Sequence, residues 1–146
     1  MFGRLRMVYR YFRVRRLIKS AFAKCRKYKN YNAQIYYESN KSNKFYHLSS
    51  IIKEFVGDDC EIRMRKAIKE ISCTFSNGSR ILIKSAIENN IRGYKYHYCL
   101  IDKDIPHIKQ DYIETHIIRS DLYARNYKDV KIKKRDFGVA KYIKIV

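Results

Sequence analysis

Two β-prone runs, Ile71-Ser-Cys-Thr-Phe75 and Arg80-Ile-Leu-Ile-Lys84, stand on either side of Ser-Asn-Gly-Ser. Asn77-Gly78 is the dipeptide that tolerates the positive φ angles of a type I′ turn, so the stretch predicts a β-hairpin. A lone hairpin is marginal in water and needs further strands and a covering layer. The rest of the chain offers both. Ala33-Gln-Ile-Tyr-Tyr37 reads as a short strand, and Tyr96-His-Tyr-Cys-Leu-Ile101 as a buried strand ending at Asp102. Leu48, Ile51, Ile52 and Phe55 have helical spacing, with Gly57 as the stop. Residues 60 to 70 stay open: Ile62 and Met64 alternate, while Met64, Ala67 and Ile71 also suit a helix. Beyond Pro106 a helix is expected to about Tyr127, with Ile108, Tyr112, Ile117 and Ile118 inward. Val130 to Lys134 and Val139 to Ile145 read as short terminal strands.

The opening of the chain carries a different pattern. Met7, Tyr11, Val14, Ile18, Ala21, Phe22 and Cys25 recur at steps of three or four, one apolar stripe along a helix. Arg6, Arg10, Arg13, Arg16, Lys24 and Lys27 fall largely elsewhere on that wheel. No repeat and no linker divides the sequence. The expected fold is therefore a single small α/β domain over residues 1–146: a basic amphipathic helix over 1–29, then a body over 30–146 with a hairpin and central strands flanked by helices.

Composition bounds the function. Apolar residues make up 46% of the chain, with 14 Tyr and 7 Phe, which excludes a wholly disordered polymer. No apolar run approaches the roughly 18 residues a membrane-spanning helix needs. Lys and Arg number 33 against 14 Asp and Glu, a formal charge of +19. Such a surplus repels itself unless a polyanion or an acidic protein is close, and nucleic acid is the favoured partner. Its distribution is uneven. Residues 1–29 hold eleven cations and no carboxylate, residues 30–70 seven against six, residues 71–101 four against one, and residues 102–146 eleven against seven. Lys131, Lys133, Lys134 and Arg135 cluster near the end, so both ends of the chain are expected contact surfaces. The opening helix can aim its guanidinium groups at phosphates or lie on an anionic membrane; phosphates are favoured. Tyr9, Tyr11 and Phe12 interleave with Arg10 and Arg13, and Tyr94 and Tyr96 flank Lys95, so rings not needed for the core are placed to stack on bases. No zinc-finger, recognition-helix or RNP pattern accompanies them, which points to backbone binding without base readout.

Cys25, Cys60, Cys73 and Cys99 form no C-x-x-C pair and read as buried thiols. With no secretory leader, the expected compartment is the reducing cytoplasm, although an acid-free, Arg-rich opening also resembles an organellar transit peptide. His47, His97, His107 and His116 lack the H-E-x-x-H spacing. Cys99 and His97 share a strand face by alternation and read as a core pair rather than a catalytic one. Asp102, Asp104, Asp111 and Glu114 are the acids close enough in sequence to serve a metal-dependent nuclease.

Taken in order, Phe75-Ser-Asn-Gly-Ser-Arg-Ile81, Asn90-Ile-Arg-Gly93 and Tyr98-Cys-Leu-Ile-Asp102 resemble one stretch of the large terminase subunit, the ATPase that packages tailed-phage DNA. The resemblance spans residues 71–104. It implies a chain encoded by a phage or similar virus, DNA rather than RNA as partner, and Asp102 as the acid that would hold Mg²⁺. The next position is Lys103, where the family has a glutamate, and an ammonium cannot take a proton from water; Asp104 returns to the side of Asp102 one residue later. The G-x-x-x-x-G-K-[ST] loop that cradles phosphates is missing. The expectation is a nucleic-acid-binding relative of the packaging ATPase, with no catalytic residues and no cofactor, acting as a genome-packaging accessory. The alternatives are a small viral effector docking on a host protein or ribonucleoprotein, and a Mg²⁺-dependent nuclease or ATPase.

Overall fold

The computed structural model describes residues 2–39, 43–91, 95–117 and 132–145. Helix α1 (Phe2–Lys27) is followed by β1 (Asn32–Tyr37), α2 (Asn43–Phe55), β2 (Cys60–Arg65), β3 (Glu70–Phe75), β4 (Arg80–Ser85), the short α3 (Glu88–Ile91), β5 (Tyr98–Asp102), α4 (His107–Glu114) and β6 (Val139–Ile143). The strands form one mixed sheet in the order β2-β3-β4-β1-β5-β6. β1 pairs in parallel with β4 and with β5, and β5 in parallel with β6, whereas β2, β3 and β4 form an antiparallel meander. The chain is a single small α/β domain with helices on both faces of the sheet.

Sequence pattern explains the layering. β5 is buried at every position and β1 at all but its first, as parallel strands covered on both faces must be. Beyond buried Cys60, β2 alternates between exposed and half-buried, the mark of a strand with one solvated face. One core lies between the sheet and α1 and α2, where Val14, Ile18, Phe22, Leu48 and Ile52 meet Ile35, Ile81, Ile83 and Leu100. Each large side chain there contributes roughly 1.5–3 kcal/mol of burial. A second core on the other face joins Tyr36, Cys99 and Ile101 to Ile91 and Ile113.

The expected stripe of α1 is inward: Val14, Ile18, Ala21, Phe22 and Cys25 are buried and Tyr11 packs against them. The side chains of Met7 and Arg6 lie outside the described part, as do Arg92, Gly93, Tyr94, Ile118, Val130 and Lys131. Residues 60–70 resolve into β2 and a turn.

Four expectations are corrected. The hairpin turn is not type I′, because Gly78 has φ +88° while Asn77 is not at positive φ. Phe75 and Ser79 pair across a three-residue connection with Gly78 in the left-handed region, as in a G1 bulge. The reason lies outside the turn: Asn77 uses its side chain on α1, donating from Nδ2 to the carbonyls of Cys25 (2.7 Å) and Tyr28 (3.1 Å). The helix after Pro106 stops at Glu114, since Thr115 and His116 turn the chain so that Ile117 can bridge to Tyr96. Ile108 faces solvent at 84% exposure, and Ile113 takes the core position instead. Lys134 belongs to a 3₁₀ turn, Lys134–Asp136, rather than a strand; the turn is anchored when Tyr28 Oη donates to Asp136 Oδ2 (2.5 Å) and Tyr31 Oη to the Asp136 carbonyl.

Candidate functional site

The connection leaving β1 runs to α2 on one face of the sheet, and that leaving β5 runs to α4 on the other. Adjacent parallel strands whose connections diverge open a crevice at their carboxyl ends, the usual ligand position in open α/β sheets. Asp102, the last residue of β5, occupies that point and is fully buried. Lys44, in the first turn of α2, reaches it with only 1% exposure. The Lys44 ammonium donates to Asp102 Oδ2 at 2.5 Å and to Asp104 Oδ2 at 2.7 Å. The Glu38 N–H adds a bond to Asp102 Oδ2 (2.9 Å), and the Asp104 N–H one to Oδ1 (3.1 Å). Burial of two opposite charges is tolerable only with this degree of satisfaction.

Lys44 escapes a reading of the sequence because it ends a polar Ser, Asn and Lys-rich stretch that looks like solvated loop. The signal was the order strand, loop, lysine, apolar helix, which is how phosphate-binding loops present their lysine. The surrounding types differ. Asn43 stands where such a loop has glycine, and Phe45 where it has the hydroxyl that ligates Mg²⁺. Asp102 and Asp104 converge on an ammonium that already supplies the positive charge, and among the described residues no three His, Cys, Asp or Glu gather as a metal shell. Asp111 is exposed and Glu114 half-buried on α4. The donor set does not fit a resident Mg²⁺.

No protein-family model, curated protein or solved structure matches this chain.

The second concentration of function-capable residues is α1, with 26 residues and no carboxylate. At 3.6 residues per turn, Arg10, Arg13, Arg16, Lys24 and Lys27 fall within an arc of about 120°, and Arg13 to Lys27 spans about 21 Å. Tyr9 and Phe12 project from the same side at 65% and 59% exposure. With Arg13, Arg15, Arg16 and Lys19 they line an open groove of about 350 Å³. No carboxylate among the described residues pairs with Arg10, Arg13, Arg16 or Lys19. Other cations of α1, Lys24 and Lys27 of the arc among them, are engaged by the molecule itself, as is Arg135. Arg15 Nε binds Glu54 (2.9 Å), Arg26 Nε binds Asp59 (2.9 Å), and Lys27 and Arg135 each lie 3.8 Å from Asp136. Lys24 donates to Ser20 and sits over the Tyr98 ring, and burial pushes its pKa down. Docking of the 3₁₀ turn brings exposed Lys133, Lys134 and Arg135 to the carboxyl end of α1, so the two basic ends of the sequence meet in space.

The cysteines are buried free thiols. Burial pushes Cys99 well above the ordinary thiol range and His97 down to about 4. The pair expected on one strand face is not one: His97 precedes β5 and stacks on Tyr31, while Cys99 packs in the second core. Neither is placed for nucleophilic chemistry. Among the described residues no helix is long and apolar enough to cross a membrane.

Proposed function

We propose that this protein holds nucleic acid by its phosphate backbone, without base readout, along the cationic and aromatic face of α1. It is a relative of the DNA-packaging ATPase that retains the sheet and lacks the hydrolytic engine. The observation that carries this reading is the row Arg10, Arg13 and Arg16, which no carboxylate among the described residues pairs with, on a helix that itself has no carboxylate. Exposed Tyr9 and Phe12 support it by offering rings to unpaired bases. The relation to the packaging ATPase is an analogy supported by Asp102 at the tip of β5 and Lys44 heading the helix after the neighbouring strand. DNA is favoured over RNA on that analogy. The Lys44 ammonium closes the crevice in place of a nucleotide, which fits a non-enzymatic role as a genome-handling accessory in the cytoplasm of an infected cell.

Fluorescence anisotropy with a short labelled DNA duplex tests this. Binding should weaken steeply with salt, and Arg10→Gln/Arg13→Gln/Arg16→Gln should reduce the slope of log K against log salt by about 2.7, at 0.9 per lost phosphate contact. Equal binding by the triple variant would overturn the assignment to α1. Salt-insensitive, stoichiometric capture of one host protein with no retention of duplex would identify an effector instead. Turnover of ATP or cutting of DNA that disappears in Asp102→Ala would make the protein an enzyme.

A further inference from the structure

The meander formed by β2, β3 and β4 turns one face toward α1 and α2, through Cys60, Ile71, Cys73, Phe75, Ile81 and Ile83. Among the described residues no helix covers its other face. By strand alternation that face carries Glu61, Arg63 and Arg65 from β2, Ser72 and Thr74 from β3, and Arg80, Leu82 and Lys84 from β4. An uncovered sheet face normally carries a mixed polar coat. This one is concave, with an open groove of about 450 Å³, and its cations outnumber its carboxylates. Glu70 at the rim lies 4.0 Å from Lys84. Arg63, Arg65 and Arg80 are exposed, and no carboxylate among the described residues pairs with them. Ser72 and Thr74 add hydroxyl donors between the arginines. Guanidinium forks and hydroxyls without an aromatic platform suit phosphate oxygens and not bases.

We propose that this face is a second binding surface for the phosphate backbone of duplex nucleic acid, on the side of the sheet opposite α1, so that one molecule bridges two duplex segments. The proposal rests on the reading of α1 as a nucleic-acid surface. It differs in consequence: a single surface retains duplex, whereas two opposed surfaces bring duplexes together.

Energy transfer between donor-labelled and acceptor-labelled short duplexes, mixed with full-length protein at low salt and below equivalence, reads bridging; anisotropy on one duplex reads retention. Wild type should show both. Arg63→Gln/Arg65→Gln/Arg80→Gln, all exposed positions, should fold with unchanged circular dichroism, keep retention through α1, and lose most of the energy transfer. Lys29→Gln/Lys53→Gln/Lys103→Gln removes the same charge from exposed positions elsewhere and should leave bridging intact. Bridging that survives the arginine triple variant, or that the control triple abolishes equally, overturns the second surface and leaves α1 standing. A wild type that binds neither duplex overturns both.

Discussion

At the scale of single residues, the buried ammonium of Lys44 is the group on which most depends. Replacing it by Met strips Asp102 of its countercharge in a site with no exposure, and breaking such a pair costs about 3–5 kcal/mol. Urea denaturation of Lys44→Met should show that loss, and the double variant Lys44→Met/Asp102→Leu should recover much of it, because no fully buried charge is then unpaired and Asp104, the other partner of Lys44, reaches water. His97 sets a pH dependence. Its ring is buried against Tyr31 and its Nδ1 accepts from the Asn32 N–H at 3.1 Å, while desolvation holds its pKa at about 4 against an ordinary 6.5. Below pH 6.5 the unfolded chain binds a proton there that the folded chain refuses until about pH 4. Stability is whole above 6.5 and falls by on the order of 3 kcal/mol as the pH drops to 4. His97→Asn, which keeps an acceptor for Asn32, should flatten that part of the curve in denaturant titrations at pH 7 and pH 4.5.

At the scale of elements, the loop Asn77-Gly78-Ser79 is a clamp on the carboxyl end of α1. Asn77 donates to the carbonyls of Cys25 in the last turn and of Tyr28 just beyond it, Ser79 Oγ donates to the Tyr28 carbonyl at 2.5 Å, and a Cβ on Gly78 would collide with Asn30 Oδ1. Asn77→Ala should cost about 1–3 kcal/mol, chiefly for the Cys25 carbonyl, since Ser79 still serves that of Tyr28, and Gly78→Ala at least about 1 kcal/mol for its positive φ and the close approach, both read from shifts in thermal midpoint. On α4, Ile113→Ala should cost about 2–5 kcal/mol while exposed Ile108→Ala changes little. Those contrasts show what the sequence discloses. The α1 stripe, the hairpin runs and the apolar β5 are periodic over neighbours, so they are legible. Ile108 was not, because Ile108 and Tyr112 share helical spacing and only the tertiary position of α4 decides which apolar residue turns inward. The Lys44 to Asp102 contact joins residues 58 apart through parallel strands, and no local pattern encodes it. The Asn-Gly signal gave the turn but not the helix it caps.

At the scale of the whole molecule, the positive surplus acts as a standing stress, since few carboxylates answer the cations of α1 and the meander. Moderate salt screens that repulsion, and a polyanion that binds only the folded state adds to stability by mass action. The thermal midpoint should therefore rise on addition of short duplex DNA at low salt, and less at high salt, in differential scanning fluorimetry. A decline on adding DNA would contradict backbone binding to the folded form. The placement of β1 between β4 and β5 has a further outcome during synthesis. The ribosome releases β1 ahead of both flanking strands, which are encoded some fifty to seventy residues later. Until they emerge, an apolar ribbon waits with both hydrogen-bonding edges bare. Slow, late-closing assembly is what such long-range pairing entails, so a nascent chain halted before β5 should be aggregation-prone and a ready client for chaperones.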